Sequence, residues 1–262
     1  VLGEDKYQQL AGRLLVAERT REPITALTDE FKDITIDDAY QVQLKVIKAK
    51  VNEKNPVVGK KIGLTSLAMQ NLLGVYEPDY GHLLSNIEVV DGGVIRLGDL
   101  MQPKVEAEVA FLLKKDLSGP GVSVSDVLRA TEAVVPSLEI VDSRVKDWKI
   151  KIQDTIADNA SSARFVLGGR LTPLDNLDLT LTGLVFKRNG EVLSTAAGAA
   201  VLGHPAAAVA WLANKLAEFE ITLKAGEVVL SGAFTAAVAP VAGDYFEACF
   251  DRLGTASVRF AG

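Results

Sequence analysis

The segment KVEAEVAF, residues 104–111, sets the strongest condition on what this chain can fold into. Val105, Ala107 and Val109 alternate with polar partners and Phe111 continues the apolar series, so the segment reads as a β-strand. A strand turns side chains i and i+2 to the same face, which puts Glu106 and Glu108 side by side. Like charges so placed repel, and glutamate has no preference for strands. The pair gains a reason to coexist if a cation sits between the carboxylates. Glu139, inside the apolar run VVPSLEIVDS, is a third candidate. Three carboxylates without nearby Cys or His make an all-oxygen set, which suits Mg²⁺ or Mn²⁺ better than zinc. The plainer alternative is a strand with one solvent-facing side that carries two glutamates.

Around this strand the periodicity changes along the chain. Tyr7, Leu10 and Leu14 recur at helical spacing, and Tyr40, Leu44, Ile47 and Val51 form a second stripe. Thr35 and Asp38 resemble a capping box that starts the second helix. A shorter helix is expected from Thr65 to Leu73, stopping at Gly74. Beyond Val89, strand-like runs fall at 104–113, 134–142, 179–187, 227–231, 244–250 and 255–260. Asn189-Gly190 between alternating segments is a hairpin signal. Two helices interrupt, one starting near Ser123 or Ser125 and one after Pro205, where proline suits the first helical position. Strands and helices do not alternate regularly, which argues against a doubly wound parallel sheet. The expectation is an α+β protein: a helical N-terminal region, 1–75, packed on a strongly bent sheet or roll, 76–262, as one compact unit.

Other polar residues are candidates by context. In KKIGLTS, 60–66, two adjacent lysines in an extended segment point to opposite faces, so one can enter a pocket while the other stays in water. EPDYGHL, 77–83, is turn-rich and offers Asp79 and His82. DTIADNASSARF, 154–165, crowds Asp154, Asp158, Asn159, Ser161 and Ser162 between two apolar runs, and loops carry many ligand-binding groups. Arg164 lies in a strand-like run and points inward or outward with equal claim. His204 before Pro205 reads as a helix-starting residue. No GxGxxG, Walker loop, GxSxG or HExxH motif is present, so nucleotide, serine-nucleophile and zincin readings lack support. The net charge of -6 gives no basic run for nucleic acid. Cys249 as sole cysteine excludes an internal disulfide. Ala206–Ala213, the longest apolar run, is too short to span a bilayer. The beginning VLGEDKYQQL lacks a basic-then-apolar signal pattern, so a cytoplasmic location is expected.

GKKIGLTS, EPDYGHL, VEAEVAF, PSLEIVDSR and DTIADNASS, in this order, resemble the 2-hydroxypentadienoate hydratase / 4-oxalocrotonate decarboxylase family, with a fumarylacetoacetase-like fold. The likeness extends through LGHP to the closing GTASVRF. It implies that Glu106, Glu108 and Glu139 hold Mg²⁺ or Mn²⁺. It implies that Lys61, Asp79 and Ser161 are catalytic, that Leu64 and Thr65 lie at the substrate, and that the substrate is a 2-oxo acid. It also implies a homo-oligomer and a possible association of decarboxylase with hydratase.

The two branches of that family differ in substrate. In 2-oxo-3-hexenedioate the distal carboxylate is vinylogous to a β-keto acid, and loss of CO₂ gives 2-hydroxypenta-2,4-dienoate. In the hydratase, water adds to that dienoate after ketonisation. DWKIKIQDTIADNAS, LKAGEVVLSG and Asp79 resemble the hydratases. SSARF, 161–165, and the ending TAAV, 235–238, resemble the decarboxylases. The dicarboxylate has an extra anionic group that an inward Arg164 would bind bidentately, whereas a smaller substrate would leave that arginine unpaired. On that ground the expected activity is metal-dependent decarboxylation of 2-oxo-3-hexenedioate, with the dienoate hydratase as alternative.

Overall fold

A computed structural model describes residues 2–66, 70 and 75–262. The expected helix Thr65–Leu73 falls largely outside the described residues. Three helices open the chain: α1 (Glu4–Thr20), α2 (Leu27–Glu30) and α3 (Ile36–Lys50). Helix α1 buries Tyr7, Leu10, Ala11, Leu14 and Ala17, one stripe at the helical period. Helix α3 starts on the expected capping box, with Thr35 accepting from the Asp38 amide and the Asp38 carboxylate accepting from the Thr35 amide.

Among the described residues, twelve strands follow in two sheets. The first seven are β1 (Val57–Gly63), β2 (Asp79–Leu84), β3 (Glu88–Val89), β4 (Val94–Arg96), β5 (Lys104–Leu113), β6 (Thr131–Val141) and β7 (Ser162–Leu167). The rest are β8 (Gly183–Arg188), β9 (Glu191–Ala197), β10 (Val228–Leu230), β11 (Tyr245–Phe250) and β12 (Gly254–Ala261). Helices α4 (Val124–Ala130), α5 (Ile152–Ala157) and α6 (Pro205–Ala217) lie between them. Asn189 and Gly190 take φ of 55° and 85°, the left-handed pair expected for the β8–β9 hairpin. His204 caps α6, its Nδ1 accepting from the Ala206 amide at 3.0 Å.

The larger sheet runs β2-β1-β10-β5-β6-β7-β3 and curls until β2 packs against β7. Residue parity assigns its two faces. Val105, Ala107, Val109 and Phe111 join the main core, to which the second sheet, β4-β12-β11-β8-β9, contributes Phe186, Phe246 and Phe260. Leu83, Ile87, Ala110, Val135, Phe165 and Leu230 form a separate apolar plug inside the curl. The α+β architecture and bent mixed sheet are those expected. One boundary differs: β1 precedes residue 75, yet it pairs with β2 and β10 within the sheet. Short extended segments with adjacent lysines carry no apolar alternation, so the central position of β1 is not visible in its sequence.

Candidate metal centre and active site

Antiparallel register brings the carboxylates together. Glu106 of β5 lies opposite Glu139 of β6, and Glu108 opposite Ser137. One carboxylate oxygen from each of Glu106, Glu108 and Glu139 lies within 4.8 Å of the other two. Glu108 and Glu139 are fully buried, which rules out the solvent-facing alternative for this strand face. The Gly232 amide donates to Glu108 Oε2 at 2.7 Å. Among the described residues, Glu108 Oε1 has no hydrogen-bond partner, and the buried Glu139 carboxylate pairs with the Lys61 ammonium. Buried acceptors are seldom left unmade, because each lost bond costs about 1–3 kcal/mol.

Lys61 enters the same space from β1. Its Nζ lies 3.1 Å from Glu139 Oε2. Gly81 is its cross-strand partner and Gly63 is that of Asp79, so Lys61 and Asp79 share one sheet face. Glycine is required at both partners. A Cβ on Gly63 would lie 2.2 Å from Asp79 Oδ1, and one on Gly81 would lie 2.4 Å from the Asn159 carbonyl oxygen. Thr65 is buried, and a Cβ on Gly232 would lie 2.2 Å from its Oγ1, so Thr65 and the loop that holds Glu108 are in close contact. Leu64, half-buried with φ of 57°, precedes it.

The charges do not balance. Four carboxyls, those of Asp79, Glu108 and Glu139 buried and that of Glu106 half-buried, surround one ammonium. Burial pushes Glu106 up to about 7, with Lys61 pulling it down and Glu139 adding repulsion. Burial, then Glu139 and Glu106, push Glu108 well above the carboxylate range. Burial also raises Glu139 and Asp79, against the pull of Lys61. Burial alone would lower the Lys61 ammonium, but Glu139, Asp79, Glu106 and Glu108 outweigh it and hold it above the ordinary lysine value. Converging carboxylates with an unpartnered Glu108 oxygen and excess negative charge fit a hard divalent cation.

Ser161 lies on a strained turn that packs against β2. Asn159, Ala160 and Ser161 take φ of 53°, 49° and 56° in succession. Left-handed backbone costs roughly 1–2 kcal/mol per non-glycine residue, so the turn needs external support. The Asn159 side chain supplies part of it by pairing with the backbone of His82, accepting from the amide at 2.7 Å and donating to the carbonyl at 3.0 Å. The buried Arg144 guanidinium supplies more, donating to the Asp158 carboxylate, to the Asp158 and Asp142 carbonyls at 2.6 Å and to the Ser162 carbonyl at 3.2 Å. Among the described residues the buried Ser161 Oγ is left without a partner. Arg144 was not anticipated from sequence. Its only signal is a charged residue next to an apolar strand.

Arg164 is a correction. Glu139 pairs with Phe165, whereas Arg164 pairs with Ile140 and so projects from the opposite face of the sheet. It lines a cavity beside α1 with Glu18, Lys50 and Arg144, away from the glutamates. Lys60 is a smaller correction: it does turn to the face opposite Lys61, but it is buried there and pairs with Glu227 at 3.0 Å instead of reaching water.

A curled sheet whose inner face gathers three carboxylates able to hold a metal ion, beside a buried lysine, has the make-up of a hard-metal enzyme site. The model of the fumarylacetoacetate (FAA) hydrolase C-terminal region matches residues 83–261, and the chain belongs to that family. It is 47% identical over 250 residues to a 2-hydroxyhexa-2,4-dienoate hydratase of Comamonas testosteroni, covering 95% of each chain. It is 42% identical over 259 residues to a 4-oxalocrotonate decarboxylase of Pseudomonas sp. (strain CF600), covering 99% of this chain and 98% of the relative. Its structure superposes on a 4-oxalocrotonate decarboxylase from Pseudomonas putida G7, complexed with magnesium and adipate, with a TM-score of 0.96 at 41% identity, over 99% of both chains. The relatives are lyases of both branches, at similar identity.

Proposed function

We propose that this chain is a divalent-metal-dependent lyase that decarboxylates 2-oxo-3-hexenedioate to 2-hydroxypenta-2,4-dienoate in aromatic meta-cleavage catabolism. The observation that carries the reading is the convergence of Glu106, Glu108 and Glu139 within 4.8 Å, beside Lys61, on the inner face of the curled sheet. Mg²⁺ or Mn²⁺ held by these three residues would supply Lewis acidity for charge that develops on the substrate's 2-oxo oxygen. The Lys61 ammonium pairs with the C1 carboxylate side of the substrate and orients it. The Ser161 hydroxyl, without a hydrogen-bond partner among the described residues, donates to a substrate oxygen. Asp79, whose carboxyl is raised by burial, holds or moves the proton that the dienol product needs. Leu64 and Thr65 close the pocket wall and exclude water.

The orientation of Arg164 is compatible with this chemistry. A cation clamped on the departing carboxylate would stabilise it most before CO₂ leaves, and such ground-state binding does not accelerate the step. The second reading is hydration of 2-hydroxypenta-2,4-dienoate, favoured by the hydratase relatives and by the lack of need for a second cation. The same proposal includes a cytoplasmic homo-oligomer able to associate with its pathway partner. Among the described residues, no helix is long and apolar enough to cross a membrane.

A paired assay tests the reading. Protein with Mg²⁺, and with EDTA, is given 2-oxo-3-hexenedioate and separately 2-hydroxypenta-2,4-dienoate. Metal-dependent CO₂ release from the first, with little consumption of the second, is the expected result. Dienoate consumption without CO₂ release would establish the hydratase, and full activity in EDTA would sink the metal assignment.

A further inference from the structure

On the far side of the sheet from the glutamates, a cavity of ≈ 340 Å³ opens between α1, the end of α3, the turn 97–101 and the start of β7. Five cationic side chains line it: Arg19, Arg21, Lys50, Arg144 and Arg164. Three carboxylates face them, and each is already engaged. Glu18 binds Lys50 Nζ at 2.7 and 2.8 Å. Asp142 accepts from the Met101 and Gln102 amides at 2.9 and 2.7 Å. Asp99 lies 3.5 Å from Arg21.

Arg144 is also taken, by Asp158 and three carbonyl oxygens. That leaves Arg164 and Arg19, neither of which has an acidic partner among the described residues. Arg164 is half-buried and its one hydrogen bond goes to the carbonyl of its neighbour Ala163, at 2.7 Å. A guanidinium offers five N–H donors, so most of its capacity faces the cavity unmet. The local potential is positive: burial pushes the Glu18 carboxyl up, yet Arg144, Lys50 and Arg164 together hold it below the ordinary value.

We propose that this cavity is a binding site for a small oxyanion, with Arg164 and Arg19 as its principal donors. Inorganic phosphate and short dicarboxylates share the required chemistry: compact, doubly charged, and able to accept two parallel N–H bonds from a guanidinium. The volume admits either with its water. Arg144 forms one wall and on its other side holds the turn that carries Ser161, so an occupant rests against the support of the catalytic turn without touching the metal ligands.

The test is calorimetric titration of Mg²⁺-loaded protein with inorganic phosphate and, separately, with succinate. Binding is expected at one site per chain with at least one of the two probes, and the better probe identifies the source of the ligand. Arg19→Ala, on the exposed side of α1, weakens that binding at least about tenfold, equivalent to about 1.4 kcal/mol. Adding Arg164→Met abolishes it, while Mn²⁺ affinity of the same variants is unchanged. Glu106→Gln leaves the oxyanion binding intact. The proposal is overturned if neither probe binds at millimolar concentration, or if Glu106→Gln removes the binding, which would move the anion to the metal. It is equally overturned if binding survives Arg19→Ala and the double variant undiminished. Arg19→Ala keeps the test decisive should the double variant fail to fold.

Discussion

Lys60 and Lys61 are neighbours in the chain, each 3% exposed and each facing a glutamate about 3 Å away, yet they belong to different kinds of site. Lys60 closes a one-to-one pair with Glu227, whose side chain keeps 14% of its exposure. Burial there lowers the lysine below its ordinary value, with Glu227 opposing. Lys61 faces four acids, and they reverse the effect of burial. Depth and ion pairing therefore do not distinguish a functional lysine from a structural one. Charge balance separates the two here: the outer pair is one-to-one, whereas the inner cluster sets four acids around one ammonium.

The largest test of this contrast is Lys61→Met. Turnover in the Mg²⁺ assay should fall by about 10²–10⁴-fold with the fold retained by circular dichroism. Undiminished turnover would erase the distinction between the two lysines. Lys60→Met should do the reverse, lowering stability by about 3 kcal/mol in urea unfolding while kcat stays within about twofold, because it strands Glu227. Pairing it with Glu227→Leu should restore most of that loss, and failure to do so would show that the pair is not self-contained.

A smaller effect is expected at His82, the cross-strand partner of Lys60. Burial, and then the Lys60 charge, hold its imidazole down to about 3. A base whose folded pKa is depressed contributes stability that is fully present above its unfolded value, near 6.5, and is lost as pH falls towards 3. His82→Gln should remove that component, so the stability difference between the two proteins shrinks from pH 7 to pH 4. A constant difference across that range would mean that His82 is not buried neutral. The smallest expected effect is that of Arg164→Ala on the Michaelis constant for 2-oxo-3-hexenedioate, within about twofold. A large rise would return Arg164 to the substrate and break the assignment of faces.

Much of the architecture was legible because local rules carry it. The Thr35–Asp38 box, the Pro205 start and the Asn189-Gly190 hairpin are each set by residues within a turn of one another. The strand 104–113 has the bounds its alternation indicates. In sequence, strand β2 has the look of a turn-rich segment because proline, glycine and aspartate dominate EPDYGHL. Its glycine is there for the Asn159 turn that packs on it, a contact 78 residues away in sequence (159 − 81). The turn-bearing segment 154–165 stood out by its polarity, but its polar residues divide by role only in three dimensions. Asp154 caps α5 and accepts from Thr28, Asp158 holds Arg144, and the buried Ser161 hydroxyl has no hydrogen-bond partner among the described residues.

The sequence by itself determined that Glu106 and Glu108 share a face, because a strand has a period of two whatever surrounds it. It also determined that Lys60 and Lys61 do not. Only the tertiary structure decided which of those faces looks into the curl, and it decided against Arg164 by a single residue. Val141 pairs with Ser162 and Ile140 with Arg164, so a bulge at Ala163 sends Ser162 and Arg164, two apart in sequence, to opposite faces. A bulge inserts one residue into one strand and reverses the parity of everything beyond it. Alternation is a local property and survives in the sequence; the point at which it slips is fixed by the partner strand.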